Sequence, residues 1–163
     1  MRASLRKIVA LAISCMALGL GAAERDAPPL SLGYTAFFVE NVPQTVAFYE
    51  AAFGIPLKYM HPSQGYAELR TGATLLAFIG EGFTAEQRLL GGAKLRTNRA
   101  TTDPIAAQLA FVSSDIGRDW SRAVQAGAKV LKSPEPKPWG QTVGYLLDPN
   151  GIIVELCTPP TRK

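Results

Sequence analysis

The chain has 163 residues, of which 47% are hydrophobic and 18% charged, a composition that excludes a disordered or fibrous protein and favours one globular domain. Its formal charge of +4 includes Arg2, Arg6 and Lys7, and with these three removed, 14 of the 17 basic residues remain against 13 acidic ones. Because nucleic-acid binders concentrate positive charge on one face, this near balance argues against a nucleic-acid partner.

The first 23 residues have the layout of a secretory signal peptide. Three basic residues precede an apolar run from Ile8 to Leu20, and Gly21-Ala22-Ala23 supplies small residues for a cleavage site. The run is shorter than the roughly 20 residues of a membrane-spanning helix. We therefore predict a periplasmic or secreted protein with no stable membrane span, in which residues 24–31 form a flexible N-terminal segment. An uncleaved anchor and a lipoprotein attached at Cys15 are the alternatives.

The first half of the remaining sequence predicts a strand, a helix and three strands. Leu32 to Val39 is rich in aromatic and β-branched residues, which is typical of a strand. Asn41 can cap a helix that begins at Val42-Pro43, and Gly54 ends it. The strands that follow are predicted at Leu57–Met60, Tyr66–Arg70 and Ala73–Ile79.

A long loop over 80–107 separates this half from the next, with one or two helical turns expected at Thr84–Leu90. The second half then repeats the order of the first. Its predicted elements are a strand at Gln108–Ser113, a helix from Ser114 or Asp115 to Ala126, a short strand at Val130–Leu131, a proline-rich loop at Pro134–Gly140, and strands at Thr142–Leu147 and Ile152–Cys157.

The order β-α-β-β-β thus occurs twice, and numerical offsets relate the two copies. Adding 74 to a residue number in the first strand and helix gives the corresponding residue of the second copy, as for Ala36 and Ala110. For the last strand of each copy we use an offset of 79, which relates the turn residues Gly72 and Gly151. Internal repetition of this kind indicates two copies of one structural module.

Several short motifs resemble the vicinal oxygen chelate superfamily, which contains glyoxalases, bleomycin resistance proteins and dioxygenases. Val39-Glu40-Asn41-Val42 followed by Phe48-Tyr49 is similar to its first module. Phe111 to Asp115 with Ala126-Gly127 is similar to its second module, and Trp139-Gly140-Gln141 with Leu147–Gly151 is similar to its C-terminal hairpin.

The resemblance covers residues 32–159 and implies an α+β fold. Two βαβββ modules, 32–80 and 108–158, would be joined by a linker at 81–107 and would form an open eight-stranded, barrel-like cleft. Members of the superfamily include metal-dependent enzymes and metal-free antibiotic-binding proteins, and many are dimers, so a homodimer is also expected.

The resemblance also implies which positions would hold a divalent ion. In the metal-using members, four side chains at repeat-related positions bind the ion, and they correspond here to Tyr34, Leu76, Gln108 and Glu155. Leu76 has no donor atom, and the phenol of Tyr34 stays protonated near neutral pH. We therefore expect these four positions to be vestigial, with no bound metal and no other cofactor.

The expected function is the binding of a small, partly hydrophobic molecule in the cleft, because apolar and aromatic walls with a few polar groups are typical of such sites. Glu155 is the candidate catalytic residue, either as a general base or as a carboxylate bonded to Tyr34 or Gln108. Trp139 fits either the rim of the cleft or its core. The residues expected to bind the ligand are Tyr34, Phe38, Leu76, Phe78, Gln108, Trp139 and Glu155.

Two alternatives remain. The chain could be a metal-dependent glyoxalase-like lyase that uses Glu155 and Gln108, or a structural protein whose cleft is filled by its own side chains. Whether it is an enzyme stays open at this level.

Overall fold

The computed structural model describes residues 30–101 and 103–160, and at residues 85–87 it describes the backbone alone. The predicted signal peptide and residues 24–29 of the predicted flexible segment lie outside the described residues. Among the described residues, no helix has the length and apolar character needed to cross a membrane.

The described residues contain two copies of a strand, a helix and three strands. Module one consists of β1 (Tyr34–Val39), α1 (Val42–Phe53), β2 (Leu57–Met60), β3 (Tyr66–Arg70) and β4 (Leu75–Gly80). A short helix, α2 (Glu81–Gln87), follows it. Module two consists of β5 (Gln108–Val112), α3 (Ile116–Gln125), β6 (Lys129–Pro136), β7 (Thr142–Leu147) and β8 (Ile153–Cys157).

Each module contains one four-stranded mixed sheet. The strand orders are β1-β4-β3-β2 and β5-β8-β7-β6. The pairs β1–β4 and β5–β8 are parallel, and the other pairs are antiparallel. The predicted α+β fold of two βαβββ modules is confirmed, and the two sheets do not close into a barrel.

Local chemistry explains where the two long helices begin. The side chain of Asn41 accepts a hydrogen bond from the backbone N–H of Gln44 at 3.0 Å, and Gly54 ends α1 in the left-handed conformation, with φ 66°. The sequence left Ser114 and Asp115 open as the cap of α3. Asp115 is the cap, because its Oδ1 accepts from the N–H of Arg118 at 3.1 Å.

The prediction for β6 is wrong. The strand has eight residues and includes Pro134 and Pro136, which the sequence assigned to a loop. It is an edge strand with two register shifts, and prolines are tolerated at an edge because one side of the strand needs no N–H donors. The predicted loop over 80–107 likewise begins with α2, three residues earlier than the helical turns expected there.

The hydrophobic core lies between the sheets and the helices. The ring of Tyr49 on α1 packs against Phe78 of β4, with ring centroids 4.8 Å apart, and Phe53 packs against Phe111 of β5 at 5.3 Å. Arg122 of α3 donates from Nε to the carbonyl of Ala52 at 3.0 Å. The helix of module one thus contacts both modules.

This packing corrects the predicted orientation of β4. Leu76 and Phe78 are 2% and 0% exposed and belong to the core under α1, so the prediction that they line the cleft is wrong. The two turns explain the error. Residues 71–74 connect β3 to β4, whereas residues 148–152, one more, connect β7 to β8.

The pairing with the first strand of each module gives the true relation between β4 and β8. Ala36 pairs with Ala77 and Ala110 pairs with Glu155, so β4 and β8 are related by an offset of 78 rather than 79. A shift of one residue moves every side chain of a strand to the opposite face. The position equivalent to Glu155 is therefore Ala77.

Candidate functional site

Each sheet has one face under a helix and one face that points away from it, which we call the open face of its module. Strand alternation and the register place Tyr34, Ala36 and Phe38 of β1 on the open face of module one. In module two the same reasoning gives Gln108 and Glu155, with further members at Ala110, Val112, Tyr145 and Cys157.

On the open face of module two, Glu155 is hydrogen bonded to Gln108. Nε2 of Gln108 donates to Oε2 of Glu155 at 3.1 Å, as one of the two sequence-based alternatives expected. Tyr145 faces Glu155 across the β7–β8 pair, so its side chain lies on the same face as this carboxylate. Burial raises the pKa of Tyr145, and Glu155 raises it further, so the hydroxyl of Tyr145 keeps its proton.

Cys157 lies on the same strand, two residues beyond Glu155, and is 4% exposed. Burial raises the pKa of its thiol, and the nearby carboxylate of Glu155 acts in the same direction. A thiol held in its protonated form is a poor nucleophile. Cys157 therefore behaves as a small buried side chain rather than as a reactive group.

The open face of module one has a second carboxylate, Glu68, which the sequence analysis missed. Oε1 of Glu68 accepts from the hydroxyl of Tyr66 at 2.8 Å, and Oε2 accepts from Nζ of Lys58 at 2.8 Å. Tyr59 pairs with Glu68 across the β2–β3 ladder, and its ring lies 6.4 Å from that of Tyr66. The alternation of Tyr66 and Glu68 along β3 is the sequence signal that would have identified this group.

Charge and burial set the ionisation of this group. The hydrogen bond from Lys58 and then that from Tyr66 lower the pKa of Glu68, so the carboxylate is ionised. Burial, then the contact with Glu68, and to a smaller extent the nearby Tyr34 and Tyr59 raise the pKa of Tyr66 to about 12. Tyr34 lies on the same face of module one. No hydrogen bond joins Tyr34 to Gln108 or Glu155 in the part of the chain that the structure describes.

The donor set does not fit a divalent ion of the kind that the resemblance implied. Ala77 occupies the position equivalent to Glu155, and a methyl group cannot coordinate a metal. Gln108 and Glu155 are bonded to each other on one sheet, and Tyr34 is on the other. Within residues 30–101 and 103–160, no three His, Cys, Asp or Glu side chains are grouped so that they could hold a metal ion.

Trp139 lies in the turn between β6 and β7 and is 59% exposed, so it is not part of the core. Its Nε1 donates to Oε1 of Gln141 at 3.1 Å, and Nε2 of Gln141 donates to the carbonyl of Thr158 at 2.7 Å. Of the two placements that the sequence left open, this exposure contradicts the one in the core.

One further predicted residue, the histidine of the chain and a groove lie elsewhere in the described residues. Phe38 is half-buried on the open face of module one. His61 lies after β2, where its Nδ1 is 2.7 Å from Oγ of Ser63 and its ring packs near Phe83. A groove of about 840 Å³ lies between α2 and the segment after it. Its walls, which include Glu81, Arg88 and Leu95, contain none of the predicted site residues.

Comparisons with known proteins agree with this architecture. Among solved structures, a glyoxalase-related enzyme from Fulvimarina pelagi is 20% identical, with a TM-score of 0.66 over 79% of this chain and 88% of that chain. A glyoxalase/bleomycin resistance protein/dioxygenase family enzyme from Burkholderia phytofirmans PsJN is 18% identical, with a TM-score of 0.63 over 79% and 98%. TioX from Micromonospora sp. ML1 is 20% identical, with a TM-score of 0.59 over 79% and 98%.

At these identities the solved structures show the fold alone. No curated protein sequence matches the chain. The sequence profile of the glyoxalase/bleomycin resistance protein/dioxygenase superfamily matches residues 31–156. The chain therefore belongs to the glyoxalase/bleomycin resistance protein/dioxygenase superfamily.

Proposed function

We propose that this protein is an exported, metal-independent member of the superfamily that binds a small, partly hydrophobic molecule on the open faces of its modules. One observation carries the proposal. Exposed aromatic side chains lie beside a few hydrogen-bonded polar groups on these faces, while the position equivalent to Glu155 is filled by Ala77.

The exposure of two predicted ligand-binding residues on the open faces supports binding over a purely structural role. Tyr34 is 55% exposed, and Gln108 is exposed as well. A face filled by its own side chains would instead bury these groups. Apolar and aromatic surface combined with a few orienting polar groups is typical of small-molecule sites.

The alternative of a metal-dependent, glyoxalase-like lyase rests on Gln108 and Glu155, which are the two remaining donors. Its test is metal binding. We expect isothermal titration of the purified protein with Ni²⁺, Zn²⁺, Mn²⁺ or Fe²⁺ to give no stoichiometric site. Tight, one-to-one binding that disappears in Glu155→Ala would overturn the metal-independent proposal and would favour the lyase.

Ligand binding is tested by thermal denaturation with a panel of small aromatic and aliphatic compounds. A compound that binds the folded state raises Tm in proportion to its occupancy. We expect the rise to be reduced in Gln108→Ala and kept in Gln125→Ala, which removes an exposed amide from the last turn of α3. If no compound raises Tm, the structural alternative is favoured.

Export and assembly are separate parts of the proposal. Expression of the full sequence with a C-terminal tag, followed by fractionation, should give tagged protein shortened by about 23 residues outside the cytoplasm, as expected for a signal peptide.

Val112 on the edge strand β5 is 61% exposed, which supports a homodimer that covers this strand. Light scattering coupled to gel filtration measures the mass directly, and a monomeric mass would contradict the dimer.

A further inference from the structure

A cavity of about 280 Å³ lies where the two modules meet. Module one contributes the residues that follow α1 and the end of β3, and module two contributes the end of β5 and one side of α3. Phe111 lines the cavity and points to the helix side of β5, so the cavity is separate from the open faces. The predicted ligand-binding residues do not line it.

The apolar part of the cavity is aromatic. Phe53 at the end of α1 and Phe111 on β5 line it, with ring centroids 5.3 Å apart and ring planes inclined by 42°. Both residues pack against the core but are only partly buried. A ligand ring can cover their remaining exposed surface in an offset or edge-to-face arrangement, which is favourable for aromatic pairs.

The polar part of the cavity contains Arg122 of α3, whose guanidinium group is held in place on one side. Its Nε donates to the carbonyl of Ala52 at 3.0 Å, and its Nη2 lies 3.4 Å from Oδ1 of Asp119. Its Nη1 lies beside Gly54, where a Cβ atom would be only 3.3 Å away. Because Gly54 has no side chain to cover this nitrogen, Nη1 can donate to a ligand in the cavity.

Positive charge exceeds negative charge in the cavity. Asp119 is the one acidic residue among the described residues that line it, and its carboxylate accepts from Oγ of Ser113 at 2.6 Å and from Nε of Arg118 at 3.0 Å. The charge of Asp119 is thus shared between Arg118 and Arg122. Arg70, at the end of β3, is exposed, and within the described residues its side chain makes no hydrogen bond or ion pair. A negatively charged ligand would supply the missing partner.

We propose that this cavity binds a small aromatic carboxylate, whose anionic group accepts hydrogen bonds from Arg70 and Arg122. Its ring would contact Phe53 and Phe111. Guanidinium groups suit this role because their planar set of donors matches the geometry of a carboxylate. The volume of about 280 Å³ is just below the range of about 300–1,000 Å³ that is typical of ligand sites, so it limits the ligand to a single ring. This inference goes beyond the proposed function, because it adds a second site away from the open faces.

The test is an NMR titration of the ¹⁵N-labelled protein with benzoate as the probe. We expect the amide signals of Gly54, Thr71 and Ser113 to shift, because these residues line the cavity. Two comparison compounds separate the contributions: benzamide keeps the ring and lacks the charge, and acetate keeps the charge and lacks the ring. Benzoate should bind more tightly than acetate and about tenfold or more tightly than benzamide, as expected for charge-assisted hydrogen bonds.

Arg70→Gln is the decisive variant, because it removes a charge from the cavity without removing a contact within the described residues. It should weaken benzoate binding about threefold to tenfold, as expected for one charge-assisted hydrogen bond at a partly exposed site. The Tm of the ligand-free protein should stay unchanged. The matched control is Arg96→Gln, which removes an exposed arginine outside the cavity and should leave the affinity for benzoate unchanged.

The outcomes separate this inference from the proposed function. The inference is overturned if benzoate shifts none of the three amide signals, if benzamide binds as tightly as benzoate, or if Arg70→Gln and Arg96→Gln bind benzoate equally well. Shifts confined to the open faces, at Tyr34 and Gln108, would also overturn it but would support the proposed function. The thermal panel with Gln108→Ala tests the open faces independently, so either proposal can fail without the other.

Discussion

At the scale of single residues, Asp148 connects the two modules. It is 1% exposed, in the turn between β7 and β8, and its Oδ2 accepts from the hydroxyl of Tyr49 on α1 at 3.1 Å. Its Oδ1 accepts from the backbone N–H groups of Asn150 and Ile152, at 2.8 and 2.7 Å. One buried carboxylate thus closes the turn of module two and holds the helix of module one.

Asp148→Ala should lower the free energy of unfolding by about 2–4 kcal/mol, because it leaves buried donors without an acceptor. Tyr49→Phe removes one hydroxyl and keeps the ring in the core, so its cost should be about 1 kcal/mol. Urea unfolding followed by fluorescence measures both values. Equal losses in the two variants would contradict the central position assigned to Asp148.

The ionisation of Asp148 should also be visible in the pH dependence of stability. Burial raises its pKa, although hydrogen bonds from Ile152 and Asn150 partly oppose the effect. A raised folded-state pKa means that the stabilising contribution is complete below the unfolded pKa of about 3.9 and is lost as pH rises through the folded value.

Asp148→Asn does not titrate, so it is the reference for this effect. We expect the stability of the unmodified protein relative to Asp148→Asn to fall as pH is raised from about 3.5 to 7. Other carboxylates titrate in both proteins and cancel in the difference. A constant difference would mean that the hydrogen bonds cancel the effect of burial, and a difference that grows with pH would mean that they outweigh it.

At the scale of elements, the sequence predicted the limits of those elements that begin and end at capping residues. Asn41 and Gly54 define α1, and its predicted limits are the observed ones. β6 was predicted too short because proline is a poor marker of loops when the strand is at a sheet edge. The sequence could not show on which face of the sheet each side chain of β4 lies. The turns before β4 and β8 differ in length by one residue, and this changes the offset between the two strands by one.

The turn after β7 also shows why an element depends on distant residues. Gly151 has φ 81°, and a Cβ atom there would lie 2.6 Å from the carbonyl oxygen of Arg99. Gly72, in the corresponding turn of module one, has φ 113° and nothing within 4 Å of such a Cβ. The two glycines share backbone strain but differ in their surroundings.

Gly151→Ala should therefore destabilise the protein more than Gly72→Ala. Both variants have an L-residue at positive φ, which costs about 1 kcal/mol or more, and Gly151→Ala must in addition displace backbone at Arg99. Urea unfolding of the pair gives the comparison directly. Losses of the same size would mean that the segment at Arg99 moves aside freely.

At the scale of the whole molecule, the sequence predicted the repeat and half of the candidate site. Gln108 and Glu155 are hydrogen bonded, which is one of the alternatives expected from the positions that the family resemblance implied. Glu68 was missed because it lies on β3, whereas the positions considered from the resemblance lie on the first and last strands of each module. Module one has alanine at 77 and a carboxylate on the adjacent strand, and the register shows that the two residues are paired.

The connection between the modules is fixed by Arg99. Its Nε lies 2.9 Å from Glu40, which follows β1, and its Nη atoms bond both oxygens of Glu81 at the start of α2, at 2.8 and 3.0 Å. Since the carbonyl oxygen of the same residue borders Gly151, Arg99 holds the connecting segment against both modules. Arg88 and Lys94, which precede it, are exposed.

Arg99→Gln should open this segment locally without unfolding the domain. We expect trypsin to cleave after Arg88 and Lys94 about threefold faster or more, because local opening needs less free energy than global unfolding. The urea midpoint should stay unchanged, since exposed ion pairs contribute little to global stability. Arg118→Gln, which removes an exposed ion pair with Asp119 on α3, is the matched control and should leave cleavage unaffected. Equal cleavage of both variants would show that the segment is held in place by its other contacts rather than by Arg99.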